Sequence, residues 1–130
     1  MIVLDTQAFY AVAFAPARLG REGRRAVERE FGRRGLVISD MTLSEIVTLD
    51  LNRKIRLEPP LGATLRGAIE STGVAVRPID AGIAARAHGL GGALSDPADR
   101  IIVATALEFG CPLVTSDGEI TDAMVVRTIW

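Results

Sequence analysis

Three features of the sequence predict an α/β fold, a single domain over residues 1–130 with a short parallel sheet of four to five strands and helices on both faces. First, the apolar runs Ile2-Val3-Leu4, Leu36-Val37-Ile38, Val74-Ala75-Val76 and Leu113-Val114-Thr115 are too short for helices. They lack polar alternation, as strands buried on both faces do. Second, stretches of helical length separate them. Third, glycine and proline punctuate nearly every junction. At 130 residues the chain fits one domain, and 48% hydrophobic residues are enough for a sizeable core.

The elements follow in order. Ile2 to Leu4 hands over at Asp5-Thr6 to a helix from Gln7 to Phe14, broken by Pro16 and Gly20. Arg21 to Phe31 is a charged second helix closed by Gly32 and Gly35. After the second strand, Asp40 or Thr42 caps a third helix running to about Arg53. Pro59-Pro60 opens a fourth helix that Gly73 stops. An alanine-rich fifth helix runs from about Ala81 to Ala87, ahead of Gly89, Gly91 and Gly92.

Ser95-Asp96-Pro97-Ala98-Asp99-Arg100 then starts a sixth helix, with Asp96 as N-cap and Pro97 at the first helical position, where its missing N–H costs nothing. Asp99 falls at the third position, near the positive end of the helix dipole. The run from Ile101 to Leu107 has almost no polar face, so this helix lies buried against the sheet. The fourth strand ends at Ser116-Asp117-Gly118, and Met124-Val125-Val126 is a last short strand before Trp130.

Composition narrows the function. No apolar run approaches the ~20 residues of a membrane span, and Asp5 interrupts the first run too early for a signal peptide, so a cytoplasmic protein without membrane contact is expected. The single cysteine, Cys111, excludes an internal disulfide and a cysteine-based zinc cluster, and suits a buried reduced thiol. Net charge is −1, yet fourteen of the fifteen basic residues are arginines, clustered at Arg18–Arg34 and at Arg53 and Arg56. With Glu22, Glu28 and Glu30 interspersed, the first cluster reads as a solvated helix face, with a local nucleic-acid patch as the alternative that charge alone does not establish.

In open α/β sheets, ligands bind beyond the carboxyl ends of the strands. Asp5 ends the first strand and Asp117 follows the fourth; Glu45 is placed in the first turn of the third helix and Asp99 in that of the sixth. Each acid has a local role open to it. Asp5 can cap a helix, Thr42-Leu43-Ser44-Glu45 fits a capping box, Asp99 suits the dipole, and Asp117-Gly118 suits a turn. Four acids at one edge are harder to explain as caps. Crowded carboxylates repel and need a cation or a shared proton. Without a His or Cys cluster, an all-oxygen set suits Mg²⁺ or Mn²⁺ rather than zinc.

Ile2-Val3-Leu4-Asp5-Thr6, Ser44-Glu45-Ile46, Asp96-Pro97-Ala98-Asp99-Arg100 and Thr115-Ser116-Asp117, in this order and spacing, resemble the motifs of PIN domains, and among them the VapC toxins of VapBC toxin–antitoxin pairs. The resemblance runs the length of the chain. It implies a Mg²⁺- or Mn²⁺-dependent endoribonuclease whose catalytic, metal-holding set is Asp5, Glu45, Asp99 and Asp117. Asp96 matches a further acid that ligates or supports, and Thr6 and Thr115 match hydroxyl positions bordering the site. An RNA substrate, a cognate antitoxin protein and a homodimer are implied as well. Many relatives carry Trp where Ser44 stands, His or Arg where Ser95 stands, and a bulky aromatic in place of Ala98. These departures touch substrate contacts and packing and leave the acids intact.

Other readings fit less well. A haloacid-dehalogenase-like phosphatase needs a second Asp where Gln7 stands, and a response-regulator receiver needs a lysine after a late strand, whereas the one lysine is Lys54. A Ser-His-Asp hydrolase would draw on His88, but no Gly-x-Ser-x-Gly elbow is present. A DNA nuclease of the same fold and a catalytically silent binding module remain as alternatives.

Overall fold

The computed structural model describes residues 1–130. Strand β1 (Ile2–Leu4) lies at the centre of a five-stranded sheet and is buried along its whole length. Its partners are β2 (Leu36–Ser39) on one side and β4 (Leu113–Val114) on the other, with β3 (Ala75–Arg77) and β5 (Thr128–Ile129) outside them. The order is β3-β2-β1-β4-β5 and every pairing is parallel. Chain order reverses at β1, so the switch point lies between β1 and β4. That is where such sheets hold ligands.

Side chains alternate across the sheet with the two-residue period of a strand. Ile2, Leu4, Leu36, Ile38 and Val114 enter one core, together with Phe9 and Ala11 of α1 (Thr6–Phe14), Ala26 and Val27 of α2 (Arg21–Glu30) and Ala68 of α4 (Leu61–Thr72). Val3, Val37 and Leu113 enter the other. It is closed by Ile83 and Ala87 of α5 (Ala81–Gly89), by Ile102, Val103 and Ala106 of α6 (Pro97–Glu108), and by Ile120 of α7 (Gly118–Ala123). Helix α3 (Asp40–Leu51) serves both, with Ile46 in the first core and Met41 against the second. Helices thus cover both faces, as the apolar runs predict.

Several sequence expectations are corrected. The third helix is capped by neither Asp40 nor Thr42: Ser39 Oγ accepts from the Met41 amide at 3.1 Å, and Thr42 is fully buried inside the helix with its hydroxyl unpartnered. Thr42-Leu43-Ser44-Glu45 is therefore no capping box, and Glu45 lies in the second turn rather than the first. Asp117-Gly118 is not a plain turn; it starts α7. Met124-Val125-Val126 forms no strand. Met124 takes φ +50° as the left-handed cap of α7, and Val125 and Val126 pack on the second core. The ladder with β4 begins only where Leu113 N–H donates to Arg127 at 2.9 Å. The six residues of α7 use up the chain that a strand at 124 would need. Cys111 is half-buried rather than buried.

The carboxyl terminus is seated by a close contact. The Glu22 amide donates to the Trp130 carbonyl at 3.2 Å, and a Cβ on Gly20 would lie 2.5 Å from the Trp130 ring. Only glycine fits at that approach. On α2, Arg21 and Arg25 pair with Glu22 at 3.5 and 3.3 Å, with all three side chains mostly exposed, so the arginine-rich helix is the solvated face its sequence suggests.

Candidate active site

Each acid is delivered to the carboxyl edge by a short handover. Leu4 ends β1, and Asp5 caps α1, its Oδ1 accepting from the Ala8 amide at 2.7 Å. Asp96 caps α6 through the Ala98 amide at 2.8 Å, and Asp99 follows in the first turn. Asp117 caps α7 through the Ile120 amide at 2.9 Å. Asp5, Asp96 and Asp117 are therefore helix caps whatever else they do. Each capping carboxylate has one oxygen held by its helix.

The five acids meet. Asp5, Glu45, Asp96, Asp99 and Asp117 line one cleft of about 520 Å³, with Thr6 beside them. Carboxylate oxygens of Glu45, Asp96 and Asp99 lie within 4.8 Å of one another. The Thr6 hydroxyl donates to Glu45 Oε1 at 2.7 Å, which fixes the longest of the acidic side chains. Thr115, fully buried, accepts from the Asp117 amide at 3.0 Å and lies against the Asp5 carboxylate, tying the ends of β1 and β4 together. Asp96 therefore belongs to the tight cluster rather than to its margin.

The electrostatics are strained in one direction. Burial pushes Asp5 up to about 6; bonds from Thr115 and Ala8 pull it back, while Asp117 and Glu45 repel its charged form. Burial and then Asp96, Asp117, Glu45 and Asp5 raise Asp99 to about 7. Glu45 is raised by burial and by Asp96 against the opposing Thr6 bond. None of the five is ion-paired; the four salt bridges of the chain lie elsewhere. The cluster lacks an internal counter-ion.

Beyond this geometry, the PIN domain family model matches residues 2–124. The chain belongs to the PIN domain family. Ribonuclease VapC22 of Mycobacterium tuberculosis is 30% identical over 99% of this chain and 98% of its own length. Among solved structures, VapC20 of Mycobacterium tuberculosis, a sarcin–ricin loop cleaving toxin, is 21% identical, with all of both chains covered and a TM-score of 0.68. VapBC2 from Rickettsia felis, bound to a DNA fragment from its promoter, is 18% identical over 98% of this chain and 97% of that one, also with a TM-score of 0.68. These structures share the PIN fold seen here.

This PIN domain has the donor set a hard divalent cation takes: oxygen only, from several carboxylates, none of them ion-paired. An ion bonded at about 2.1–2.5 Å reaches oxygens at most roughly 4–5 Å apart, and the Glu45, Asp96 and Asp99 oxygens, all within 4.8 Å of one another, fall inside that outer limit. Sequence reasoning did not place Gln7, Leu49, Ser116 and Lys54 along the cleft. It also missed the brace behind Asp96. The Ser95 amide and hydroxyl donate to Glu119 Oε1 at 2.6 and 2.8 Å, and Arg100 Nε and Nη2 donate to the carbonyls of Leu94 and Ser95 at 2.6 and 3.0 Å. Glu119 follows Asp117 by two residues, a proximity that could have flagged it; its partner, Ser95, is set only by the fold. No helix is long and apolar enough to cross a membrane.

Proposed function

We propose that this cleft is the catalytic centre of a Mg²⁺- or Mn²⁺-dependent endoribonuclease, acting as the toxin of a type II toxin–antitoxin pair with a cognate antitoxin protein as partner and with a homodimer as its working form. The observation that carries the reading is the convergence of five carboxylates with raised or crowded charges and no cationic partner. Such a cluster is matched to a bound cation. The kinship with Ribonuclease VapC22 and the VapBC folds supports RNA as substrate and an antitoxin as partner.

Asp5, Glu45, Asp99 and Asp117 would hold the cation, with Asp96 added by its place in the tight cluster. When bound, the metal supplies Lewis-acid stabilisation of a phosphodiester and lowers the pKa of a water. The residues do the positioning. Thr6 holds Glu45 at a fixed angle over the cleft, where its second oxygen can accept a proton from an attacking water. Thr115 holds Asp5 and the Asp117 backbone in one register. The three helix caps fix carboxylate orientation before any ligand arrives, so little ordering remains to be done.

The test is cleavage of RNA by the purified protein. Activity is expected with Mg²⁺ or Mn²⁺ and none with EDTA. Asp99→Asn is expected to lower the rate by about a hundredfold or more with the fold intact. Cleavage that continues in EDTA would overturn the metal-dependent reading.

A further inference from the structure

We propose that Lys54 is a substrate-binding residue that grips a backbone phosphate of the RNA strand entering the acidic cleft; this rests on the nuclease reading above. Lys54 is the one cation lining a cleft that otherwise carries five carboxylates. It is exposed and forms no ion pair with any of them. A polyanion approaching that cleft meets negative charge everywhere except at this ammonium and at the metal. Arg53 and Arg56, also exposed, extend the positive charge outward along the same loop.

The loop is built rather than loose. After α3 the Lys54 amide donates to the Leu49 carbonyl at 2.9 Å and the Arg53 amide to Asp50 at 3.0 Å, the paired bonds of a Schellman turn. The left-handed position falls on Arg53 at φ +57°, where glycine is the usual residue. Beyond the turn, the Asp50 carboxylate accepts from the Leu57 amide at 2.8 Å, and Leu57 is buried in the first core. Lys54 is thus pinned from both sides. The turn bonds its backbone to Leu49, the one apolar residue of the cleft lining, and leaves the Lys54 side chain exposed at the cleft.

The experiment measures binding of a labelled mixed-sequence RNA of roughly 12 nucleotides. It uses Asp99→Asn protein with Mg²⁺, so that the strand is held without being cut, and follows fluorescence anisotropy across a salt series. Adding Lys54→Gln is expected to weaken binding about eightfold at ~50 mM salt and to reduce the slope of log affinity against log salt by about 0.7, one phosphate contact on a single strand. Lys54→Arg is expected to keep the slope. With Asp99 restored, the rise in melting temperature that Mn²⁺ induces is expected to be the same with and without the Lys54→Gln change. Unchanged RNA affinity and slope in Lys54→Gln would overturn the assignment and leave the nuclease reading standing. So would an unchanged slope with an altered Mn²⁺-induced rise in melting temperature, which makes Lys54 a counter-ion of the acids. Absence of metal-dependent RNA cleavage by the parent protein overturns both.

Discussion

Asp117 shows how one residue serves structure and site together. Its Oδ1 accepts the Ile120 amide and so starts α7, while its charge bears on Asp5 and Asp99. These roles separate by substitution. Asparagine keeps an oxygen for the cap and removes the charge; alanine removes both. In EDTA, Asp117→Asn is expected to melt at or above the parent, since repulsion is relieved. Asp117→Ala is expected to lose about 1 kcal/mol from the lost cap. Both should forfeit most of the Mn²⁺ stabilisation, which for the parent reaches about 2.7 kcal/mol at a hundredfold excess over the dissociation constant. Thermal melting of the three proteins with and without Mn²⁺ reads this out. Asn level with the parent, Ala below it and no Mn²⁺ shift in any of the three would reduce Asp117 to a helix cap.

At the scale of elements, α6 and α7 are joined where their acids lie. Arg100, the last residue of the Asp-Pro-Ala-Asp-Arg segment, directs its guanidinium to the Leu94 and Ser95 carbonyls. Glu119, in the first turn of α7, holds the Ser95 amide and hydroxyl, and those bonds keep its carboxyl below the usual range. The brace thus fixes the loop that presents Asp96 to the helix that Asp117 caps. Glu119→Ala is expected to raise the Mn²⁺ midpoint for activation about tenfold while leaving the circular dichroism of the protein unchanged. An unshifted midpoint in a metal titration would show that the two helices hold their acids without it. Of the two Ser95 bonds to Glu119, only the hydroxyl's depends on the serine side chain.

For the whole molecule, the acidic edge makes stability depend on pH in a definite direction. Asp5 and Asp99 start from an ordinary value of 3.8 and are raised to about 6 and about 7 in the folded chain. Between those limits the native state binds more protons than the unfolded one. The stabilisation is therefore fully present below about pH 4 and is lost as pH rises through about 6 and about 7. Metal-free protein is expected to unfold at lower urea at about pH 8 than at about pH 5. Asp99→Asn should flatten the fall near pH 7, and Mn²⁺ should cancel it, because a bound cation stabilises the ionised carboxylates. A urea midpoint that is constant across about pH 5 to 8 in EDTA would contradict the crowding of charges described here.

The sequence by itself determined the class of fold and the identity of the acids. Runs such as Ile2-Val3-Leu4 and Leu36-Val37-Ile38 are apolar at every position, and only strands covered on both faces tolerate that. Asp96-Pro97 starts a helix from local chemistry alone, and it starts one here. Only the tertiary structure decided what depends on contacts between distant segments. Met124-Val125-Val126 has strand composition, yet the ladder position beside β4 goes to Thr128–Ile129 because α7 and its left-handed cap intervene. Ser39 takes the cap of α3 from Asp40 and Thr42 because β2 runs directly into the helix, leaving no loop between them. Lys54 is the one lysine of the chain, but nothing in the sequence places it at the acids rather than with its arginine neighbours. Its place on the cleft follows from a Schellman turn with arginine where glycine is the rule, held by the burial of Leu57.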